Sequence, residues 1–195
     1  MFESLHTGMF EGLGDLVELD IYANLISYIE HNTFTPLRKL LRLTAWGNQL
    51  TALDQCMLSG LLSLSDLNLS RNRLKTIENN TFHGFEKLHH LDVSNNLLTA
   101  IHMDTFSGLK NLEDLHISKN LLSFIHERSF EGMSKYLNLD IYSNRMNCTC
   151  DYISMISRWV HFEYTFFYRQ LDFSSESGVA NEILENYPKS CWTVA

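Results

Sequence analysis

The chain has 195 residues, of which 45% are hydrophobic and 19% charged, the balance of a folded soluble protein and too apolar for a disordered one. Its 15 basic against 23 acidic side chains leave a formal charge of −8, which offers a nucleic-acid backbone no electrostatic footprint at neutral pH. No stretch reaches the roughly eighteen apolar residues of a membrane span, and Glu3, His6, Glu11 and Asp15 interrupt residues 1–20 too often for a secretory leader, so a secreted protein is expected to start upstream.

From the first residues onward the sequence repeats. Leu5, Phe10 and Leu13 fill the last framework places of an incomplete unit and are expected to border an exposed core edge. Full units of 24 residues then begin at Leu16, Leu40, Leu64, Leu88 and Leu112, and Tyr136 takes the same place in a last partial unit. Three residues into each unit stand Leu19, Leu43, Leu67, Leu91, Leu115 and Leu139, and two further on an apolar residue such as Ile21, Val93 or Ile117. That alternation turns two side chains inward and one outward, as in a short strand. One such turn cannot bury its apolar side alone, but stacked turns share a core and pair their strands in parallel.

Asn24, Asn48, Asn72, Asn96, Asn120 and Asn144 follow at the end of each strand segment. A buried amide there can satisfy loop backbone groups, so this ladder reads as structural. Phe34, Leu58, Phe82, Phe106 and Phe130 recur on the far side as core residues. Cys56, on a loop of the second full unit, is expected to be a small buried apolar residue.

Outward positions read in register form columns across the sheet. One runs Glu18, Arg42, Asp66, His90, Asp114 and Asn138, and a second runs Asp20, Thr44, Asn68, Asp92, His116 and Asp140. Beside them stand Tyr22, Trp46, Ser70, Ser94, Ser118 and Tyr142. Tyr22, Arg42, Trp46, His90, His116 and Tyr142 are the candidate binding residues, because adjacent large aromatics on an exposed face have the composition of an interface anchor. His89, His90 and His116 among Asp92 and Asp114 suggest binding that changes near pH ~6. Three sequons, at Asn68, Asn79 and Asn147, fit a secretory route; a glycan at Asn68 would obstruct the sheet face, whereas Asn79 lies on a loop.

No HExxH, glycine-rich phosphate loop, Gly-x-Ser-x-Gly elbow or metal-type cysteine spacing occurs. Binding rather than catalysis is expected, with no catalytic residue, metal or cofactor.

The repeat breaks off after Asn144 into Asn147-Cys148-Thr149-Cys150-Asp151. Asp151 suits a helix N-cap, and Tyr152, Met155, Ile156, Trp159 and Val160 share one helical face that would cover the last turn.

The pattern LxxLxLxxNxLxxIxxxxFxxLxx resembles the extracellular leucine-rich repeat, and CTCDYISMISRWV resembles the cysteine cap of Toll-like receptors. The resemblance implies an α/β leucine-rich-repeat solenoid, a horseshoe arc with a concave parallel sheet, over residues 1–147, and a C-terminal disulfide cap over 148–195. By carry-over, Cys148, Cys150 and Cys191 match the first, second and fourth cap cysteines, with Ser174 and Ser175 where the third belongs. That implies a Cys150–Cys191 bond and an unpaired Cys148; the sequence leaves a Cys148–Cys191 bond open as well. Arg145 stands where the family has a proline. The resemblance further implies recognition of a microbial or endogenous ligand in the extracellular space or endosomal lumen. It also implies a receptor homo- or heterodimer, and a single-pass membrane anchor outside this sequence. A matrix or cell-adhesion protein that binds endogenous proteins is the alternative.

Overall fold

The computed structural model describes residues 1–145. Cys148, Cys150, Cys191, Asn147 and the expected cap helix lie outside the described residues.

Each 24-residue turn contributes one three-residue strand and, half a turn later, one two-residue strand. The three-residue strands are β2 (Glu18–Asp20), β4 (Arg42–Thr44), β6 (Asp66–Asn68), β8 (His90–Asp92), β10 (Asp114–His116) and β12 (Asn138–Asp140). They form one parallel six-stranded sheet in the order β12-β10-β8-β6-β4-β2. The two-residue strands β1 (Ser4–Leu5), β3 (Tyr28–Ile29), β5 (Ala52–Leu53), β7 (Thr76–Ile77), β9 (Ala100–Ile101) and β11 (Phe124–Ile125) pair only two by two, as β1-β3, β5-β7 and β9-β11. Between the two sets lies one continuous core, in which the rings of Phe82, Phe106 and Phe130 stack from turn to turn at centroid distances of 6.2 and 6.1 Å.

Three expectations are corrected. The α/β class is not seen in the described residues, which hold strands and turns but no helix. The return segments close instead with i to i+3 turn bonds, such as His83 N to Asn80 O and Phe85 N to Phe82 O. Left-handed residues at Asn80 and at Gly84 interrupt any helical run, since a helix needs an unbroken right-handed series. At the opening edge of the core Leu13 is 45% exposed while Leu5 and Phe10 are buried. Cys56 is exposed: a turn in which Asp54 accepts the Met57 N–H and Cys56 O accepts from Ser59 N directs its side chain outward.

In the sixth unit the opening core place is also shifted by one residue, although its strand keeps the 24-residue register. Tyr136 is 69% exposed and Leu137 is 4% exposed, so Leu137 takes the core place that Leu112 holds one unit earlier. The turn bond Leu137 N to Ser134 O sets this phase, and Lys135 covers the outward Tyr136 ring at 4.9 Å. Tyr136→Ser is therefore expected to change stability by less than about 0.5 kcal/mol in a urea melt, as at other surface positions. A loss above about 2 kcal/mol, the cost of emptying a core site, would put Tyr136 back in the core.

Asparagine holds the turns together. Asn72 is typical: its Oδ1 accepts the Leu50 N–H at 3.1 Å, and its Nδ2 donates to Ala45 O and Leu69 O at 3.0 Å each. One side chain thus satisfies backbone groups of its own turn and of the turn before it. Asn48, Asn96 and Asn120 repeat the arrangement fully buried, whereas Asn24 and Asn144 are half-buried.

Candidate functional site

The long sheet presents its outward side chains in the columns read from the sequence. The register pairs Glu18 with Arg42, Arg42 with Asp66, Asp66 with His90, His90 with Asp114 and Asp114 with Asn138. The second column, from Asp20 through Thr44, Asn68, Asp92 and His116 to Asp140, is in the same register. Arg42, Asp66, Asn68, His90, Asp114 and His116 line a shallow open groove on this face.

Neighbouring rungs exchange polar contacts. Arg42 reaches Glu18 at 2.9 Å; His90 Nδ1 lies 2.7 Å from Asp114 Oδ2, while Asn138 Nδ2 donates to Asp114 Oδ1 at 2.8 Å. His116 Nδ1 lies 3.6 Å from Asp140 Oδ2, which also accepts the Ser118 hydroxyl at 2.8 Å. His89 is outside the strand, half-buried, with its Nδ1 at 3.5 Å from Ser65 Oγ. The shifted carboxylates are elsewhere, on the turns. The Lys39 ammonium 2.6 Å from Asp15 lowers that carboxyl, and the Thr7 backbone N–H at 2.9 Å lowers that of Glu30.

The third column divides. Tyr22 is 49% exposed and stacks on the half-buried Trp46, with centroids 5.2 Å apart and planes 7° from parallel. Tyr142 is half-buried at the other end. Ser70, Ser94 and Ser118 between them are buried, so the expectation that they line the open face is corrected. A left-handed residue follows every member of this column, at Ala23, Gly47, Arg71, Asn95, Lys119 and Ser143, so side-chain size is what divides it: the short serines stay within the turn, where Ser70 Oγ donates to Asn68 Oδ1 at 2.7 Å, and the large rings of Tyr22, Trp46 and Tyr142 extend beyond it.

Two cations went unnoticed in the sequence. The Arg71 guanidinium lies 5.9 Å from the Trp46 ring centre, and the Lys119 ammonium 5.4 Å from that of Tyr142. Both occupy the place just after the third column, which becomes visible once Ala23, Gly47, Arg71, Asn95, Lys119 and Ser143 are written in register.

Among the described residues, no group of three or more His, Cys, Asp and Glu is placed to hold a metal ion. No helix there is long and apolar enough to cross a membrane.

The leucine rich repeat family profile matches residues 42–98 and 86–146, together more than half of the chain. A comparison with curated protein sequences gives no match. Among solved structures, the TLR13–ssRNA13 complex is similar over 80% of this chain and 22% of its own, with 29% identity and a TM-score of 0.73. The Drosophila Toll–Spatzle complex is similar over 79% of this chain and 20% of its own, with 27% identity and a TM-score of 0.66. The chain thus spans about a fifth of the length of these two structures. With its 24-residue phase, asparagine ladder and parallel sheet, the chain belongs to the leucine-rich-repeat family and is related to the Toll-like receptors.

Proposed function

We propose that this chain is part of the ligand-binding ectodomain of a Toll-like innate immune receptor, working by recognition rather than catalysis. In this reading the long sheet is the concave recognition face. The C-terminal end takes part in receptor dimerisation, and the whole operates in the extracellular space or the endosomal lumen. The observation that carries the reading is the exposed Tyr22–Trp46 stack beside columns of charged side chains, on a structure that aligns with a Toll-like receptor over 80% of its length. A stacked aromatic pair is the kind of anchor that dominates binding energy at an interface.

The test has two parts. Transcript mapping of the flanking sequence should show a membrane span followed by a Toll/interleukin-receptor domain; immunoglobulin or fibronectin modules would favour the adhesion reading instead. In cells expressing the full gene product with a transcriptional reporter, challenged with microbial protein, lipid and nucleic-acid fractions, a Tyr22→Ala/Trp46→Ala variant should lose the response by about tenfold or more. An unchanged response at equal surface expression would remove the sheet from recognition.

Asn79 is exposed and is the preferred glycan acceptor, whereas Asn68 sits mid-sheet with its Oδ1 occupied by Ser70 N–H and Oγ–H. Mass mapping of the secreted protein after enzymatic deglycosylation should show conversion at Asn79 and none at Asn68. Conversion at Asn68 would mean a glycan on the proposed face.

Acidification should change binding at this face. Protonated His90 and His116 would add positive charge beside Asp66, Asp92, Asp114 and Asp140. Receptor titrations at about pH 7.4 and about pH 5.5 that give equal affinity would remove this dependence.

A further inference from the structure

We infer that the long sheet face takes a cationic polypeptide segment of a protein partner, seated on the carboxylates of the two strand columns with a guanidinium against the Tyr22–Trp46 stack. The inference deepens the proposed function by naming the partner class, and it rests on that reading of the sheet as the recognition face.

Charge comes first. The two columns carry six carboxylates, Glu18, Asp20, Asp66, Asp92, Asp114 and Asp140, against the single guanidinium of Arg42. Arg42 is already spent on Glu18 at 2.9 Å. Among the described residues, Asp20, Asp66 and Asp92 have no salt-bridge partner: Asp92 Oδ1 accepts only the Ser94 backbone N–H at 2.9 Å. Asp66 and Asp92 stand on the adjacent strands β6 and β8, one in each column, so both project onto the middle of the face. Strands about 4.8 Å apart bring such carboxylates close enough for one extended basic segment to span them.

The same surface is unsuited to nucleic acid. Phosphate binding draws its affinity from lysine and arginine that displace condensed counterions; the strand columns offer one such group, which is paired, and beside them Arg71 and Lys119 lie over Trp46 and Tyr142, three cations against six carboxylates. The likeness to an RNA-bound receptor structure is a likeness of fold, and the two strand columns here carry six carboxylates against one guanidinium.

The aromatic stack adds a preference among cations. Arg71 already lies over Trp46 at 5.9 Å, showing that this ring accommodates a guanidinium, and Tyr22 leaves about half its surface open. A planar guanidinium can stack on an aromatic ring and still bond to a carboxylate, which an ammonium cannot do equally well.

The test uses the whole 195-residue chain and fluorescent oligoarginine, oligolysine of equal length, and single-stranded RNA as probes, by anisotropy at physiological salt. Oligoarginine should bind most tightly and RNA not measurably. The variant Asp20→Asn/Asp66→Asn/Asp92→Asn should lose about tenfold in oligoarginine affinity, the sum of three modest solvent-screened ion pairs. A charge-matched control on exposed turns, Glu11→Gln/Glu86→Gln/Glu127→Gln, should lose less than about twofold. Urea melts of both variants confirm that each is folded. Tyr22→Ala should weaken oligoarginine more than oligolysine.

Equal losses in face and control variants, or RNA binding as tight as oligoarginine, overturn the inference. If the receptor response needs Tyr22 and Trp46 but oligoarginine binding ignores the sheet carboxylates, the cationic partner is wrong and the proposed function stands. If the response ignores Tyr22 and Trp46, both fall.

Discussion

Gly108→Ala is expected to destabilise the protein by about 4 kcal/mol, whereas Gly132→Ala, one turn later at the same place, should cost about 1–2 kcal/mol. Both glycines have positive φ, +104° and +83°, so both substitutions pay for an unfavourable backbone conformation. They differ in what a Cβ meets. At Gly108 it would run into the Phe82 carbonyl oxygen and lie 3.0 Å from its carbon, backbone atoms of the previous turn that cannot rotate away. At Gly132 nothing lies within 4 Å. The difference between the two thus isolates the close approach of successive turns from the strain of φ. Urea melts measure it directly, and equal losses would mean that turn spacing is not what requires glycine at residue 108.

Asn96→Leu is expected to cost about 3 kcal/mol or more. Asn96 is 4% exposed, accepts the Leu74 N–H at 2.9 Å and donates to Leu69 O, Val93 O and Ser94 O at 3.0, 3.1 and 3.2 Å. Leucine has a similar volume but leaves these groups without their partner, and each stranded buried group costs about 1–3 kcal/mol. Asn24→Leu is the comparison. Asn24 receives the exposed Phe2 N–H and donates to Ile21 O and Tyr22 O in a half-buried site, where water can replace it. Its loss should be about 1 kcal/mol. Equal effects at the two positions in denaturant melts would remove the buried ladder as a source of stability.

The repeat was legible because its signal is long-range and redundant. Leu43, Leu67, Leu91 and Leu115 repeat the same place, so Leu58 for phenylalanine leaves the pattern intact. Sheet register followed from the unbroken 24-residue phase, and Tyr22 beside Trp46 followed from register. What was not legible depends on single-residue turn geometry. Tyr136 and Leu137 are neighbours in sequence, and only the bond to Ser134 O decides which enters the core. Ser70, Ser94 and Ser118 continue the strand's alternation outward, but they are too short to extend past the turn as Tyr22, Trp46 and Tyr142 do at the same place. Periodicity also says nothing about whether a return segment is helical, and in the described residues left-handed asparagine and glycine decide against it.

The asparagine ladder has a direction. Each Oδ1 accepts the N–H of a residue 22 positions earlier, as Asn48 does for Ile26 and Asn120 for Leu98. A turn is therefore completed by the next turn to be made. A chain emerging from the ribosome would carry its unsatisfied backbone groups only in the newest turn, with every earlier one already closed. Folding should then advance as a front that trails synthesis by one repeat, and a pause in translation would leave only that last turn open to misassembly.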